Sequence, residues 1–143
     1  MYFDDFKLND TFDIPDAVIE KGEMIEFARK YDNIPLHTDE EYAKTTRFGG
    51  LIAPGMMSGL SVWAKYLEVD LFGEELVAGK STKVEWFRPV YPGDVLSSKG
   101  EISALTPRNG RNGIVEITIN TCNQNGELVM KNTTEAVVRC RIN

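Results

Sequence analysis

His37 is the only histidine in the chain. It is therefore the only imidazole able to move protons near neutral pH. Asp32 precedes it by five residues, and Pro35 stiffens the loop between them. A carboxylate and a neutral imidazole on one rigid loop can hold a water molecule between them, one taking its proton while the other supplies a proton to a substrate. A plainer reading competes, in which His37 sits beside a helix start and Asp32 is a turn residue, and spacing alone favours it. Gly55 is the third candidate. It opens an apolar helix whose first N–H groups have no intrahelical partner and carry partial positive charge. A developing oxyanion fits there, and glycine lets a carbonyl approach closely. Tight packing alone would explain Gly49, Gly50 and Gly55 equally well.

Other chemistries lack their residues. Ser58 and Ser61 stand on the helix with no Gly-x-Ser-x-Gly elbow around them. One histidine, and two cysteines far from it, cannot assemble a standard zinc site, so no metal is expected. Neither a Gly-x-Gly-x-x-Gly nor a P-loop is present, which argues against nicotinamide and nucleotide enzymes of the usual kinds. Arg88, Arg108 and Arg111 lie near expected turns or strand ends and could bind phosphates, although such arginines are more often ordinary surface residues.

The elements that would position these groups change character once, near residue 76. Before it the chain reads as loops and helices. A short extended piece around Thr11–Ile14 ends at Pro15, and a helix follows from Gly22 to Lys30 with Met24, Ile25, Phe27 and Ala28 inward. Residues 31–37 read as a polar loop. Thr38 and Glu41 suggest a capping box at the next helix start. A second helix runs from Gly55 or Met56 to Leu67. Its Met56, Leu60, Trp63, Ala64 and Leu67 recur at helical spacing, and Met57, Val62 and Tyr66 fill its other sides. A helix so nearly apolar all round is expected to be buried.

After residue 76 four strands are expected, at about 77–88, 94–106, 113–123 and 127–142. Val115, Ile117 and Ile119 alternate on one face, and turns such as Pro92-Gly93-Asp94 and Arg108-Asn109-Gly110 argue for an antiparallel meander. Asn125-Gly126 is a strong hairpin signal. Closed as a two-residue loop, it sets Cys122 opposite Val129 and Cys140 opposite Arg111. The two thiols then lie about 30 Å apart at ~3.3 Å per residue, far beyond the ~7 Å between Cα atoms that a disulfide allows. Free cysteines and a reducing compartment follow. One buried helix followed by a meander predicts an α+β domain with the sheet curled around the helix.

The bulk numbers set outer limits. The chain has 143 residues, 42% hydrophobic and 27% charged, and reads as a single soluble globular domain over 1–143. A net charge of −6 and a pI near 4.8 argue against nucleic acid or an anionic membrane as partner. The first residues resemble no signal peptide, and the apolar stretches fall short of a membrane span, so a cytoplasmic location is expected.

Four segments in order resemble one family. Asp32-Asn33-Ile34-Pro35-Leu36-His37-Thr38-Asp39 is similar to the D-x-N-P-x-H-x-D of the MaoC-like dehydratases, which include the (R)-specific enoyl-CoA hydratases. Phe48-Gly49-Gly50-Leu51-Ile52-Ala53-Pro54-Gly55-Met56 is similar to that family's F-x-x-x-I-x-x-G-x approach to its central helix. The segment from Trp86 to Leu96 is close to its F-x-x-P-V-x-x-G-D-x-L, and the segment from Asn123 to Val129 matches its last hairpin. The resemblance spans about residues 10–142. It implies a hot-dog fold, a curved antiparallel sheet wrapped around one long helix, paired as a homodimer or higher homo-oligomer. It implies an acyl-CoA substrate and reversible addition of water across a 2-enoyl double bond, as in fatty acid metabolism. No cofactor is implied beyond the coenzyme A that belongs to the substrate. Asp32 and His37 become the pair that holds and activates water, and the Gly55 N–H becomes the oxyanion donor.

The chain departs from the family at two positions. Ile34 stands where Asn or Gln is common, so Ile34 and Ile52 are expected to shape the acyl pocket. Pro54 stands where many members have His. Two alternatives remain beside the hydratase. A hot-dog acyl-CoA thioesterase would place a carboxylate on or facing the central helix, and Met56–Leu67 carries none. A non-catalytic acyl-CoA-binding or scaffold subunit is kept open by Ile34.

Overall fold

Alternating apolar residues build the platform. Ile102 on one strand and Val115, Ile117 and Ile119 on the next are buried together, as expected for a sheet with one face in the core. In the computed structural model, which describes residues 1–142, five strands form one antiparallel sheet. They are β1 (Thr11–Val18), β2 (Leu76–Trp86), β3 (Val95–Pro107), β4 (Asn112–Cys122) and β5 (Leu128–Arg139), ordered β1-β3-β4-β5-β2. The four later strands match the expected ones to within a few residues. The exception is the end of β5, which stops at Arg139 and leaves Ile142 exposed.

The register follows the hairpin signal. From Asn112↔Arg139 to Thr121↔Met130 the partners of β4 and β5 stand in the register that a turn at Asn125-Gly126 predicts. The loop itself is longer than two residues. The Asn123 N–H donates to the Glu127 carbonyl, Gly126 takes a φ of 75°, and Cys122 consequently pairs with Leu128 rather than Val129. The Cys140 N–H meets the Arg111 carbonyl as expected, and both cysteines are free. Burial, and then the nearby Asp4 carboxylate, push the Cys140 thiol up, so it is a poor nucleophile.

β1 corrects the first half of the reading. Pro15 does not end the strand but sits at a register shift between Ile14 and Ala17. A residue with no N–H is tolerated at such a bulge on an edge strand. The helices are α1 (Lys21–Tyr31), α2 (Pro35–Thr38), α3 (Glu40–Lys44) and α4 (Gly55–Glu68), with short 3-10 turns at Phe3–Asp5 and Gly73–Glu75. Along α1 only Met24 and Ala28 are fully buried. The cap of α3 is Asp39, whose carboxylate accepts the Tyr42 N–H, and not Thr38. Thr38 ends α2 instead and donates its hydroxyl to the Ile34 carbonyl. None of the helices among the described residues is long and apolar enough to cross a membrane.

α4 lies against the sheet by one face only. Met57, Ser58, Val62 and Tyr66 are buried, with Met57, Val62 and Tyr66 joining the core. Met56, Leu60 and Leu67 stay exposed, so the helix is not buried all round. β2 is also open, pairing only with β5 and exposing Leu76, Val77 and Trp86.

At the other edge the Phe12 ring covers Gly100 of β3 so closely that a β-carbon there would overlap it. We expect Gly100→Ala to destabilise the protein by about 1–3 kcal/mol in urea unfolding. Gly79→Ala on β2, where nothing lies within 4 Å, should change stability by less than ~1 kcal/mol.

Candidate active site

Local chain geometry delivers Asp32 and His37 to one place. α1 ends at Asp32, whose N–H still bonds to Ala28 while its backbone has left the helix at φ −155°, ψ 62°. Two residues later Ile34 is extended, as a residue before proline must be, and Pro35 occupies the first position of α2 with its φ already suited to a helix. The turn is closed by the His37 N–H on the Ile34 carbonyl and the Asp39 N–H on the Pro35 carbonyl. The segment read as loop up to His37 is thus one helical turn from Pro35 onward. It aims His37 inward, where the residue is 6% exposed.

The His37 ring is held at Nδ1 and faces Asp32 with Nε2. Nδ1 lies 2.7 Å from the Ile52 carbonyl oxygen. A carbonyl only accepts, so Nδ1 carries the hydrogen and the neutral ring presents a lone pair at Nε2. Nε2 is 3.5 Å from Asp32 Oδ2, and the Asp32 side chain is 41% exposed. A neutral Nε2 and a carboxylate are both acceptors and cannot bond to each other. One water donating a hydrogen to each satisfies both.

Gly55 arrives through a second set of backbone ties. The Ala53 N–H donates to the Val90 carbonyl at 2.7 Å, and the Tyr91 hydroxyl donates to the Phe48 carbonyl at 2.9 Å. The 87–94 connection is itself braced. Asp94, 7% exposed, accepts from the Tyr91 N–H and from the Gln124 amide. Pro54, fully buried, then caps α4, and the Gly55 N–H, first in the helix, has no partner among the described residues. Trp86 packs on its other side. The indole N–H donates to the Gly55 carbonyl at 3.0 Å, and a β-carbon on Gly55 would lie 2.6 Å from the ring. Only glycine fits.

These groups share one open cleft of about 510 Å³. Asp32, His37, Ile52 and Gly55 all line it, together with Arg47, Phe48, Met56, Ser58, Trp86, Phe87 and Arg88. Ile34 does not. Its side chain is 45% exposed outside the cleft, and its contribution is a backbone carbonyl. Of the three arginines singled out, Arg88 lines the cleft and pairs with Glu127 at 3.1 Å. Arg108 and Arg111 belong to the β3–β4 hairpin at the opposite end of the sheet, roughly 35 Å away along β4 at ~3.3 Å per residue. Sequence reasoning missed Arg47, which lies over the Phe48 ring, as well as Ser58 and Trp86. Their roles depend on where α4 meets β2, and no local pattern reports that. Tyr66, on the buried face of α4, has its phenol pushed up to about 12 by burial, so it stays neutral.

A curved antiparallel sheet carrying one long helix is a hot-dog fold. The sequence profile described as MaoC like domain matches residues 6–124, and the chain belongs to that family. Among solved structures the chain is similar to a MaoC-like dehydratase from Rhodospirillum rubrum, at 31% identity over 100% of this chain and 99% of that one, with a TM-score of 0.86. It is similar to a monoamine oxidase regulatory protein from Archaeoglobus fulgius, at 28% identity over 99% and 96% of the two chains, with a TM-score of 0.93. It is also similar to the R-hydratase PhaJ1 from Pseudomonas aeruginosa, at 25% identity over 99% and 86%, with a TM-score of 0.79.

The contact between Gly55 and Trp86 is testable by a double-mutant cycle. Gly55→Ala should cost about 1–3 kcal/mol in urea unfolding. In a Trp86→Ala background the cost should shrink by at least ~1 kcal/mol, since the crowding partner is gone.

Proposed function

We propose that this protein reversibly hydrates 2-enoyl-CoA thioesters to 3-hydroxyacyl-CoA. The observation that carries the reading is the Asp32–His37 pair, 3.5 Å apart, in one cleft with the free Gly55 N–H. The likeness to an R-hydratase and to a MaoC-like dehydratase supports it.

The geometry yields the following steps. A water donates one hydrogen to Asp32 and one to Nε2 of His37, which turns an oxygen lone pair toward the substrate. As that oxygen bonds to C3 of the enoyl group, the pair takes one proton from the water. The C2–C3 double-bond electrons move toward the thioester carbonyl, and the Gly55 N–H at the positive end of α4 receives the negative oxygen. The pair then returns the proton to C2. Water has added across the bond, nothing is oxidised, and dehydration is the same path reversed. Arg47 and Arg88 at the cleft supply positive charge for the phosphates of the coenzyme A arm. A thioesterase reading finds no support in α4, whose sole carboxylate, Glu68, lies at its far end.

The same proposal includes a homodimer. The open edge of β2 and the exposed Met56, Leu60 and Leu67 of α4 are surfaces that a second copy would cover. Light scattering should give about twice the 16.1 kDa chain mass; a value at one chain mass would remove the dimer. Two free cysteines fit a reducing, cytoplasmic setting.

The enzyme reading is tested by the loss of enoyl-thioester absorbance with crotonyl-CoA. Asp32→Asn and His37→Ala should each lower kcat/KM by ~10²-fold or more. Ile34→Asn, outside the cleft, should change it by less than ~3-fold. If wild type is as inactive as the two site variants yet still binds acyl-CoA, the protein is a binding subunit and not a hydratase.

A further inference from the structure

In the proposed reaction the Gly55 N–H must hold one direction, and glycine is the residue least able to fix its own backbone. Two peptide planes meet at Gly55. The first carries its N–H and is held through the Pro54 carbonyl. That carbonyl accepts the Ser58 N–H at 3.1 Å and the fully buried Ser58 hydroxyl at 3.5 Å. The second plane carries the Gly55 carbonyl, and here a tie comes from outside the helix. The Trp86 indole N–H donates to it at 3.0 Å. Three indole atoms lie 2.6 to 2.9 Å from the point where a β-carbon of Gly55 would stand. The ring therefore fills the place of the missing side chain.

The residue type adds an independent reason. Trp86 stands at the Phe of the F-x-x-P-V-x-x-G-D-x-L pattern that residues 86–96 resemble. A phenyl ring could pack on Gly55 but has no hydrogen to donate. The N–H is what tryptophan adds at this position, and its partner is Gly55. Trp86 is 46% exposed, so water could satisfy the same N–H. The bond therefore contributes little to stability, and its consequence is orientation.

We infer that Trp86 is a positioning residue for the Gly55 N–H, its indole N–H and ring holding the Gly55 backbone in one conformation before a thioester arrives. The inference rests on the hydratase reading for the reaction it serves. In that reaction the thioester oxygen gains its negative charge only as water adds. A donor aimed in advance then lowers the barrier more than it strengthens substrate binding, so its loss should appear in kcat and not in KM.

The experiment compares wild type, Trp86→Phe and a protein with benzothienylalanine in place of Trp86. The last keeps the fused rings and puts sulfur where the N–H was. With crotonyl-CoA both variants should lower kcat by ~10-fold and leave KM within ~2-fold. That loss is smaller than the ~10²- to 10³-fold that follows removal of an oxyanion donor itself. Urea unfolding should stay close to that of wild type, and the benzothienylalanine protein decides the matter if Trp86→Phe fails to fold by circular dichroism. A second readout needs no turnover. It is the infrared difference spectrum of bound butyryl-CoA carrying carbon-13 at the thioester carbonyl. On wild type the carbonyl stretch should fall below its solution frequency, and in both variants it should return part of the way. Unchanged kcat and unchanged carbonyl frequency in the variants overturn the inference, as does a rise in KM at constant kcat. If wild type hydrates no crotonyl-CoA, the hydratase reading falls. The positioning role then stands if the carbonyl frequency drops on wild type and recovers in the variants, and falls if it does not.

Discussion

The hydrogen bond between His37 Nδ1 and the Ile52 carbonyl joins the two halves of the site. One end belongs to the α1–α2 corner, which also carries Asp32. The other belongs to the strand-like approach to α4, three residues before Gly55. This one bond places the ring and selects the tautomer, leaving Nε2 a bare acceptor toward Asp32. It sits in a buried setting, where an unpaired partner is costly. A shift of Ile52 would therefore change what His37 can do before it changed where Asp32 lies.

That bond is only as good as the backbone behind Ile52. The approach segment is not part of the sheet, so its polar groups must find partners elsewhere. They find them in the 87–94 connection, through Ala53 to Val90 and through Tyr91 to Phe48. The connection is braced in turn by Asp94, which answers the Tyr91 N–H and the Gln124 amide from the β4–β5 hairpin. A chain of short contacts thus runs from the end of the sheet to the imidazole. Asp94 looks acidic and buried, as a catalytic group might, but both its oxygens are already engaged in holding backbone and a neighbouring amide. It is a structural carboxylate.

What could be read in advance divides along the same line. The β4–β5 register was legible because a hairpin's pairing is set locally, by Asn125-Gly126 and the alternation on either side. The pairing of Asp32 with His37 was legible through the resemblance of residues 32–39 to the family's motif, since spacing alone favoured the plainer reading. Thr38 and Asp39 could each cap a helix by residue type. The choice fell to Asp39 because α2 takes Thr38 as its last residue, and α2 itself is too short to announce itself by periodicity. Pro15 read as a stop, but tertiary pairing with β3 carried the strand past it by a bulge. Ile34 read as a pocket residue because it stands where the family commonly has Asn or Gln, but its extended backbone before Pro35 leaves the side chain exposed and outside the cleft. Trp86 and Arg47 carried no signal, since each matters only through a contact with a segment remote in sequence. The apolar sides of α4 were visible, but which of them faces the sheet was not.

Trp86 connects parts of the molecule that otherwise have no reason to act together. It is the last residue of β2, an edge strand whose outer hydrogen-bonding groups are unpaired. Its indole closes over Gly55, the first residue of α4. Order in β2 therefore reaches the Gly55 N–H through one side chain. A second copy pairing along β2 would bind the conformation in which that strand is straight and Trp86 is seated, and by linkage would stabilise that conformation over any in which the edge frays. Asp32 and His37 lie on a separate corner, at the junction of α1 and α2. In the proposed hydratase dimer, assembly would bear on the Gly55 N–H, while Asp32 and His37 are held by ties within the single chain.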